Sequence, residues 1–210
     1  EKKLRKILDY IYNIKIFDPA CGSGNFLIIF YISLCQIEIK IFRILNRINP
    51  DAWRLSTTGI SINQFYGIEI SHFASETAKL SMWIAEHQMN LNFKEVFGLI
   101  KPSLPLSTNE IIINTNAATI DWSNHCFKEK KTKHIYLVGN PPYKGFARQS
   151  DQQKKDMELV LKKINGYKRF DYISLWIFKS INYILLNKIS TSGLVSTNSV
   201  CQGEHINLFW

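Results

Sequence analysis

The 210-residue sequence predicts an α/β fold: a doubly wound, mostly parallel sheet with helices on both faces. Three observations carry that expectation. Short apolar runs alternate with longer stretches of helical periodicity along the whole chain. The first run, Ile14 to Phe17, opens into a Gly-rich turn, Asp18-Pro19-Ala20-Cys21-Gly22-Ser23-Gly24-Asn25-Phe26, that feeds a helix. A later run, Ile135 to Val138, leads into Asn140-Pro141-Pro142-Tyr143. Two prolines lack N–H groups and cannot continue a sheet ladder, so they set a stiff corner there. In such sheets ligands sit beyond the carboxyl ends of the strands. The Gly-rich turn, Glu69, Asn116 and Asn140 are therefore expected on one rim.

In chain order, residues 1–13 read as the end of a basic helix with Leu4, Ile7, Leu8 and Ile11 on one face. After the first strand and its turn, a long helix is expected from Asn25 to Arg47. Its segment Ile37-Glu38-Ile39-Lys40-Ile41 nonetheless alternates as a strand would. Asn49-Pro50-Asp51 breaks the pattern, and residues 50–63 form a polar connection. Phe65 to Ile70 is the second strand. Ser71 caps a helix that carries Phe73, Thr77, Leu80 and Ile84 on one face and runs to about Met89. Residues 90–109 are irregular, with Pro102 and Pro105. Ile111 to Ile113 is the third strand. Residues 121–133 are a polar loop whose run from Lys128 to Lys133 is solvated. The fourth strand ends at Asn140, residues 151–165 are helical and charged, and Asp171 to Lys188 is a helix rich in aromatics. Gly193 to Asn198 is the fifth strand.

Composition narrows the function classes. Apolar residues make up 46% and charged residues 20%, a globular balance in a chain long enough for one well-buried domain, 1–210. The net charge of +9 favours an acidic partner such as nucleic acid. The four cysteines (Cys21, Cys35, Cys126, Cys201) form no C-x-x-C pair, which argues for reduced thiols in a cytosolic protein and against a zinc site. The five histidines show no metal-ligand spacing, so no metal is expected. The most apolar stretch, Phe26 to Ile37, is too short to cross a bilayer and is followed at once by Glu38, Lys40 and Arg43. The chain begins with Glu1 and stops soon after its fifth strand, as expected of part of a longer protein.

The rim residues have chemistry of their own. Gly22 and Gly24 allow a tight turn and close approach to a ligand. No Lys follows Gly24, so this is not a phosphate loop, and Leu27 stands where a dinucleotide fingerprint has its third glycine. Asp18 supplies a carboxylate suited to a ligand with an ammonium group. Glu69 can accept hydrogen bonds from both hydroxyls of a ribose, or it is a helix-start carboxylate favoured by the dipole. Asn116 can meet an adenine edge, or simply form a turn. An Asn140 amide beside a Tyr143 ring on rigid backbone suits a flat, polar-edged substrate such as a nucleobase.

Asp18 to Phe26, Tyr66-Gly67-Ile68-Glu69 and Asn140 to Tyr143, in that order, resemble the S-adenosylmethionine-dependent amino-methyltransferases that act on N6 of DNA adenine. Phe65 to Asn90 and the Gly193-to-Gly203 run, with Thr197-Asn198-Ser199, look closest to the MmeI-like fused restriction–modification enzymes. The resemblance implies a Rossmann-like class I methyltransferase domain. It implies cofactor contacts from Asp18, Pro19, Ala20, Gly22, Gly24, Asn25 and Phe26, from Glu69 and Ile70, and from Asn116 and Ala117. Asn140, Pro141, Pro142 and Tyr143 would take the target adenine, flipped out of double-stranded DNA. It further implies a bacterial, cytoplasmic enzyme whose target-recognition and endonuclease regions lie outside these residues.

Between Asn140 and Phe170, eight basic residues face three acidic ones. Lys144, Arg148, Lys154 and Lys155 are the expected phosphate contacts, although any one of them also reads as a solvated helix face. Two rival readings remain open at this point. One is an amino-methyltransferase acting on RNA adenine or protein glutamine. The other is a cofactor-binding piece without turnover.

Overall fold

The structure, a computed structural model, describes residues 1–50, 58–98, 111–125, 134–187, 190–202 and 206. Five strands form one sheet: β1 (Ile14–Asp18), β2 (Phe65–Glu69), β3 (Ile112–Asn114), β4 (His134–Gly139) and β5 (Ser190–Leu194). All neighbours run parallel, in the order β3-β2-β1-β4-β5. The chain winds outward from β1 to β3, then returns to lay β4 on the other side of β1. The β1/β4 gap is therefore the switch point at which a ligand crevice opens.

Helices cover both faces. Below the sheet lie α1 (Lys2–Tyr12), α2 (Asn25–Ile48) and α3 (His72–Phe97). Above it lie α4 (Trp122–His125), α5 (Asp151–Leu161) and α6 (Ile173–Asn187). Strand alternation splits the core between them. Ile16 and Phe65 join Leu27, Tyr31, Leu45 and Met82 on the first side. Phe17, Ile68 and Leu137 join Trp122, Leu175 and Trp176 on the second. No helix among the described residues is long and apolar enough to cross a membrane.

Several boundaries differ from the sequence reading, each for a local reason. The alternating segment 37–41 stays helical because Glu38 is wholly buried and hydrogen-bonded. Its carboxylate accepts from the Tyr12 hydroxyl at 2.8 Å, the Thr58 hydroxyl at 2.6 Å and the Gly59 N–H at 2.7 Å, which joins α1 and the 58–59 backbone to α2. Helix α3 continues through 90–97 until Gly98, with φ of 78°, stops it.

The face that carries Phe73, Thr77, Leu80 and Ile84 is the outer one: Phe73 is 82% exposed and Leu80 55%. The packed face is Ser75, Ala78, Met82, Ala85, Met89 and Phe93. A Cβ on Gly24 would stand 3.2 Å from that of Ala78, so small residues on α3 let the Gly-rich turn approach. Ile7 likewise lies outside the α1 contact, which uses Leu8 and Ile11. The fifth strand is Ser190–Leu194, not Gly193 to Asn198. Among the described residues its neighbour in the sheet is β4, and it shows no apolar run to read. The expectations for 51–57, for Pro102 and Pro105, for 126–133 and for Gly203 lie outside the described residues.

Candidate active site

A cavity of about 570 Å³ opens at the switch point. Its lining brings together Pro19 and Ala20 after β1, Glu69 and Ile70 after β2, and Asn116 and Ala117 after β3. Asn140 and Pro142 after β4 complete that rim. α5 adds Gln152 and Asp156, α6 adds Trp176, and Tyr172 comes from just before α6.

Beneath this lining, Asp18 is 1% exposed, and its Oδ1 accepts the Ala20 N–H at 3.0 Å. Burial pushes its carboxyl up to about 7, the Ala20 N–H opposes that rise, and the nearby charge of Glu69 adds to it. Gly139 passes so close that an added Cβ would lie 2.5 Å from Asp18 Oδ1. Glu69 ties two strand ends together. Its Oε2 accepts the Gly22 N–H at 3.0 Å and its Oε1 the Ser71 N–H at 2.7 Å. Each carboxylate oxygen still has accepting capacity for a ligand hydroxyl. Gly22, at φ of 55°, and Gly24, at φ of 87°, hold the turn in left-handed backbone.

The opposite wall is built from a polar chain. Asn116 Nδ2 donates to both oxygens of Asp156 at 3.3 Å, and its Oδ1 accepts the Ala118 N–H at 2.9 Å. Asp156, itself 3% exposed, also accepts the Tyr172 hydroxyl at 2.8 Å and the Gln152 amide at 3.1 Å. Lys179 fixes the same loop from α6. Its ammonium donates to the carbonyls of Ala117, Ala118 and Ile120 at 2.6, 3.0 and 2.7 Å, and it stands 5.0 Å from the Trp122 ring centroid. Three donors meet three acceptors. Burial draws the Lys179 pKa down to about 8, while Asp121 and Asp156 oppose that fall.

The Asn140–Tyr143 corner projects from β4. Pro141 is buried, Asn140 and Pro142 are exposed, and Tyr143 is 53% exposed. The loop is tied down just beyond: Lys144 N–H donates to Asp171 Oδ1 at 2.8 Å, and Tyr172 N–H donates back to Lys144 O at 2.9 Å. Asp171 thus ties the loop beyond the corner to the start of the α6 region. Lys144, Arg148, Lys154 and Lys155 are all exposed on the segment that follows.

The full length of the chain, residues 1–210, matches the family model for the DNA-methyltransferase domain of MmeI. The chain belongs to that family. It is 43% identical over 209 residues to DNA methyltransferase A of Bacillus subtilis (strain 168), covering 99% of this chain and 23% of that protein. The solved structure of the Type IIL restriction–modification enzyme MmeI in complex with DNA superposes with a TM-score of 0.88 at 34% identity. That match covers 100% of this chain and 28% of the other. The Type ISP enzyme LlaGI shares the fold, with a TM-score of 0.53 at 18% identity. The chain thus spans about a quarter of the length of the first two relatives.

Within this MmeI-type methyltransferase domain, eight of the predicted site residues line one cavity: Pro19, Ala20, Glu69, Ile70, Asn116, Ala117, Asn140 and Pro142. Asp18, Gly22, Gly24, Asn25, Phe26, Pro141 and Tyr143 are not in the lining. Asp18 lies buried, and Asn25 stands exposed at the start of α2. Sequence reasoning missed Asp156, Gln152, Tyr172 and Trp176 as cavity residues, and Lys179 behind them. The available signal was the spacing of Trp176, Lys179 and Tyr183 on one face of α6, with Tyr172 one turn before them. Among the described residues no group of three His, Cys, Asp or Glu side chains is arranged to hold a metal.

Proposed function

We propose that this domain transfers a methyl group from S-adenosylmethionine to N6 of an adenine flipped out of double-stranded DNA, as the modification activity of a bacterial, cytoplasmic restriction–modification protein. The observation that carries the reading is the single cavity at the switch point. It joins the turn residues Pro19 and Ala20, beneath which the Asp18 carboxyl lies buried, to Glu69 and to the Asn140 corner. The residues fit the cofactor on their own chemistry. A buried Asp18 carboxyl at about 7 is held up by burial, and a ligand ammonium would draw it back to the charged form. Glu69 keeps accepting capacity for ribose hydroxyls. Trp176 lines the cavity, and its indole N–H, buried and a donor only, has no hydrogen-bond partner among the described residues, so a ligand acceptor would satisfy it. Asn116 and Ala117 would border the adenine of the cofactor.

When bound, S-adenosylmethionine supplies a methyl group already activated by its sulfonium. What remains is to make the target amine nucleophilic and hold it in place. The Asn140 side-chain oxygen and the Pro141 carbonyl would accept the two N–H groups of the adenine amine. That favours a tetrahedral nitrogen and stabilises the positive charge that develops there until one amine proton passes to solvent. The Tyr143 ring would stack on the base and orient it. Its half-exposed position suits a residue that meets a ligand from outside. Lys144, Arg148, Lys154 and Lys155 would contact phosphates. Cys21, buried and with its thiol pKa pushed up by burial, has no catalytic part.

The test is calorimetric binding of S-adenosylmethionine with Asp18→Ala as control, followed by labelled transfer to DNA, RNA and protein side by side. Binding that is lost in the control, and label in DNA, is the expected result. Label in RNA or in protein glutamine would replace the proposal by its rival.

A further inference from the structure

A second cavity, of about 340 Å³, lies on the other flank of α5. The helix presents Gln152, Gln153 and Asp156 to the first cavity, and Lys154, Lys155, Met157 and Glu158 to the second. One helix diameter, about 10–12 Å, therefore separates the two. Phe146 and Gln149, on the loop that follows the Asn140–Tyr143 corner, form another wall, and Tyr167 and Lys168 close it.

The chemistry of this cavity is mixed in a specific way. Lys154, Lys155 and Lys168 are all exposed, and the carboxylate in the lining is that of Glu158. Lys154 stands 3.6 Å from Asp151, a pair open to water and worth little. Neither Lys155 nor Lys168 has an ion-pair partner among the described residues. Between these cations lie buried Met157, half-buried Tyr167 and the Phe146 ring, 52% exposed on an otherwise polar loop. Flat apolar surface rimmed by ammonium groups fits a planar ring that carries phosphate on either side. Stacking on side-chain rings with phosphates on lysines is how proteins hold unstacked nucleotides.

We propose that this cavity is a second nucleotide subsite. It takes one base of the DNA on the Phe146 and Tyr167 rings and the adjoining phosphates on Lys154, Lys155 and Lys168. The proposal rests on the DNA-methyltransferase reading and deepens it. Flipping the target distorts the stack around it and frees a neighbouring base. The two cavities lie on opposite flanks of one helix, so the captured base lies within a few positions of the target adenine. Anchoring a second base would hold the distorted duplex in register with the Asn140 corner.

The experiment uses the natural full-length protein with S-adenosylmethionine and duplexes carrying 5-iodouracil at successive positions. Irradiation is followed by mapping of crosslinked peptides. The expected result is a crosslink to Phe146 or Tyr167 from one position. Phe146→Ala should abolish it and weaken DNA binding by about 5- to 150-fold, with cofactor affinity unchanged. Phe146→Leu, which keeps apolar volume without a ring, should do the same if the alanine variant misfolds. Lys155→Ala and Lys168→Ala should each lower the salt slope of DNA binding by about one. Crosslinks confined to other residues, or full DNA affinity in the folded Phe146 variants, would overturn the proposal. So would protection of Phe146 by adenosine monophosphate without any DNA crosslink. Crosslinking needs no turnover, so a parent protein that crosslinks here but transfers no methyl group would overturn the methyltransferase reading alone.

Discussion

Asp18 is where the chemistry of single residues decides most. Its carboxyl stands at about 7 against an ordinary value of 3.8, so the folded chain binds more protons than the unfolded one between those values. Stability from this group is full below the ordinary value and is lost as pH rises through about 7. A ligand ammonium has the opposite preference, because it needs the carboxylate. Cofactor affinity should therefore rise about tenfold per pH unit up to about pH 7 and then level off, and Asp18→Asn should flatten the profile. Calorimetry across pH 5.5 to 8, a range set by the roughly one-unit spacing needed to see the slope, reads this directly. Gly67 offers a test of packing. An added Cβ would lie 2.7 Å from both Cys21 Sγ and Ile112 Cδ1, so Gly67→Ala should cost about 1–3 kcal/mol in urea unfolding. The sequence displayed Asp18, Glu69 and Asn140 because each sits in a short contiguous motif. It did not display Asp156. That carboxylate belongs to a charged helix, and only the fold turns it inward to Asn116 and Tyr172.

Among the elements, α6 does more than cover the sheet. Tyr172, just before it, reaches Asp156, while α6 itself carries Trp176 to the cavity and Lys179 to the three carbonyls of the Ala117–Ile120 loop. Lys179→Met keeps the apolar stem and removes the three donors. Ala117 O would retain the Trp122 indole N–H at 2.9 Å, whereas Ala118 O and Ile120 O would lose the ammonium. The expected cost is about 1–3 kcal/mol of stability. Cofactor affinity should weaken as well, and Lys179→Arg should not restore it, since a planar guanidinium cannot reproduce a three-donor tripod. Paired denaturation and calorimetry check both parts. Element types were readable because strand and helix periods differ. Faces were less so: α3 is apolar on two sides, with Phe73 and Leu80 outward and Met82 and Phe93 inward, and periodicity alone cannot choose between them. Strand β5 was shifted in the reading because Ser190–Leu194 has no apolar alternation.

For the whole molecule, the decisive feature is topology. Winding β1 to β3 outward and returning to β4 places motifs from across the chain at one crevice. That convergence was legible from strand–helix alternation, since parallel sheets put every strand end on the same rim. On the proposed reading, the same topology would separate two roles on one rim, with the proposed cofactor residues mainly on the β1–β3 side and the proposed target corner on β4. Asn140→Ala should accordingly leave cofactor affinity within about twofold while lowering methyl transfer by about a hundredfold or more, the scale of losing a preorganised polar contact at the reacting atom. The most direct test of the central claim is nucleoside analysis of DNA after incubation of the natural full-length protein with isotopically labelled S-adenosylmethionine. The account predicts label in N6-methyldeoxyadenosine, present with the parent protein and absent with Asn140→Ala. Label in a methylated cytosine, or equal label with the Asn140 variant, would contradict it.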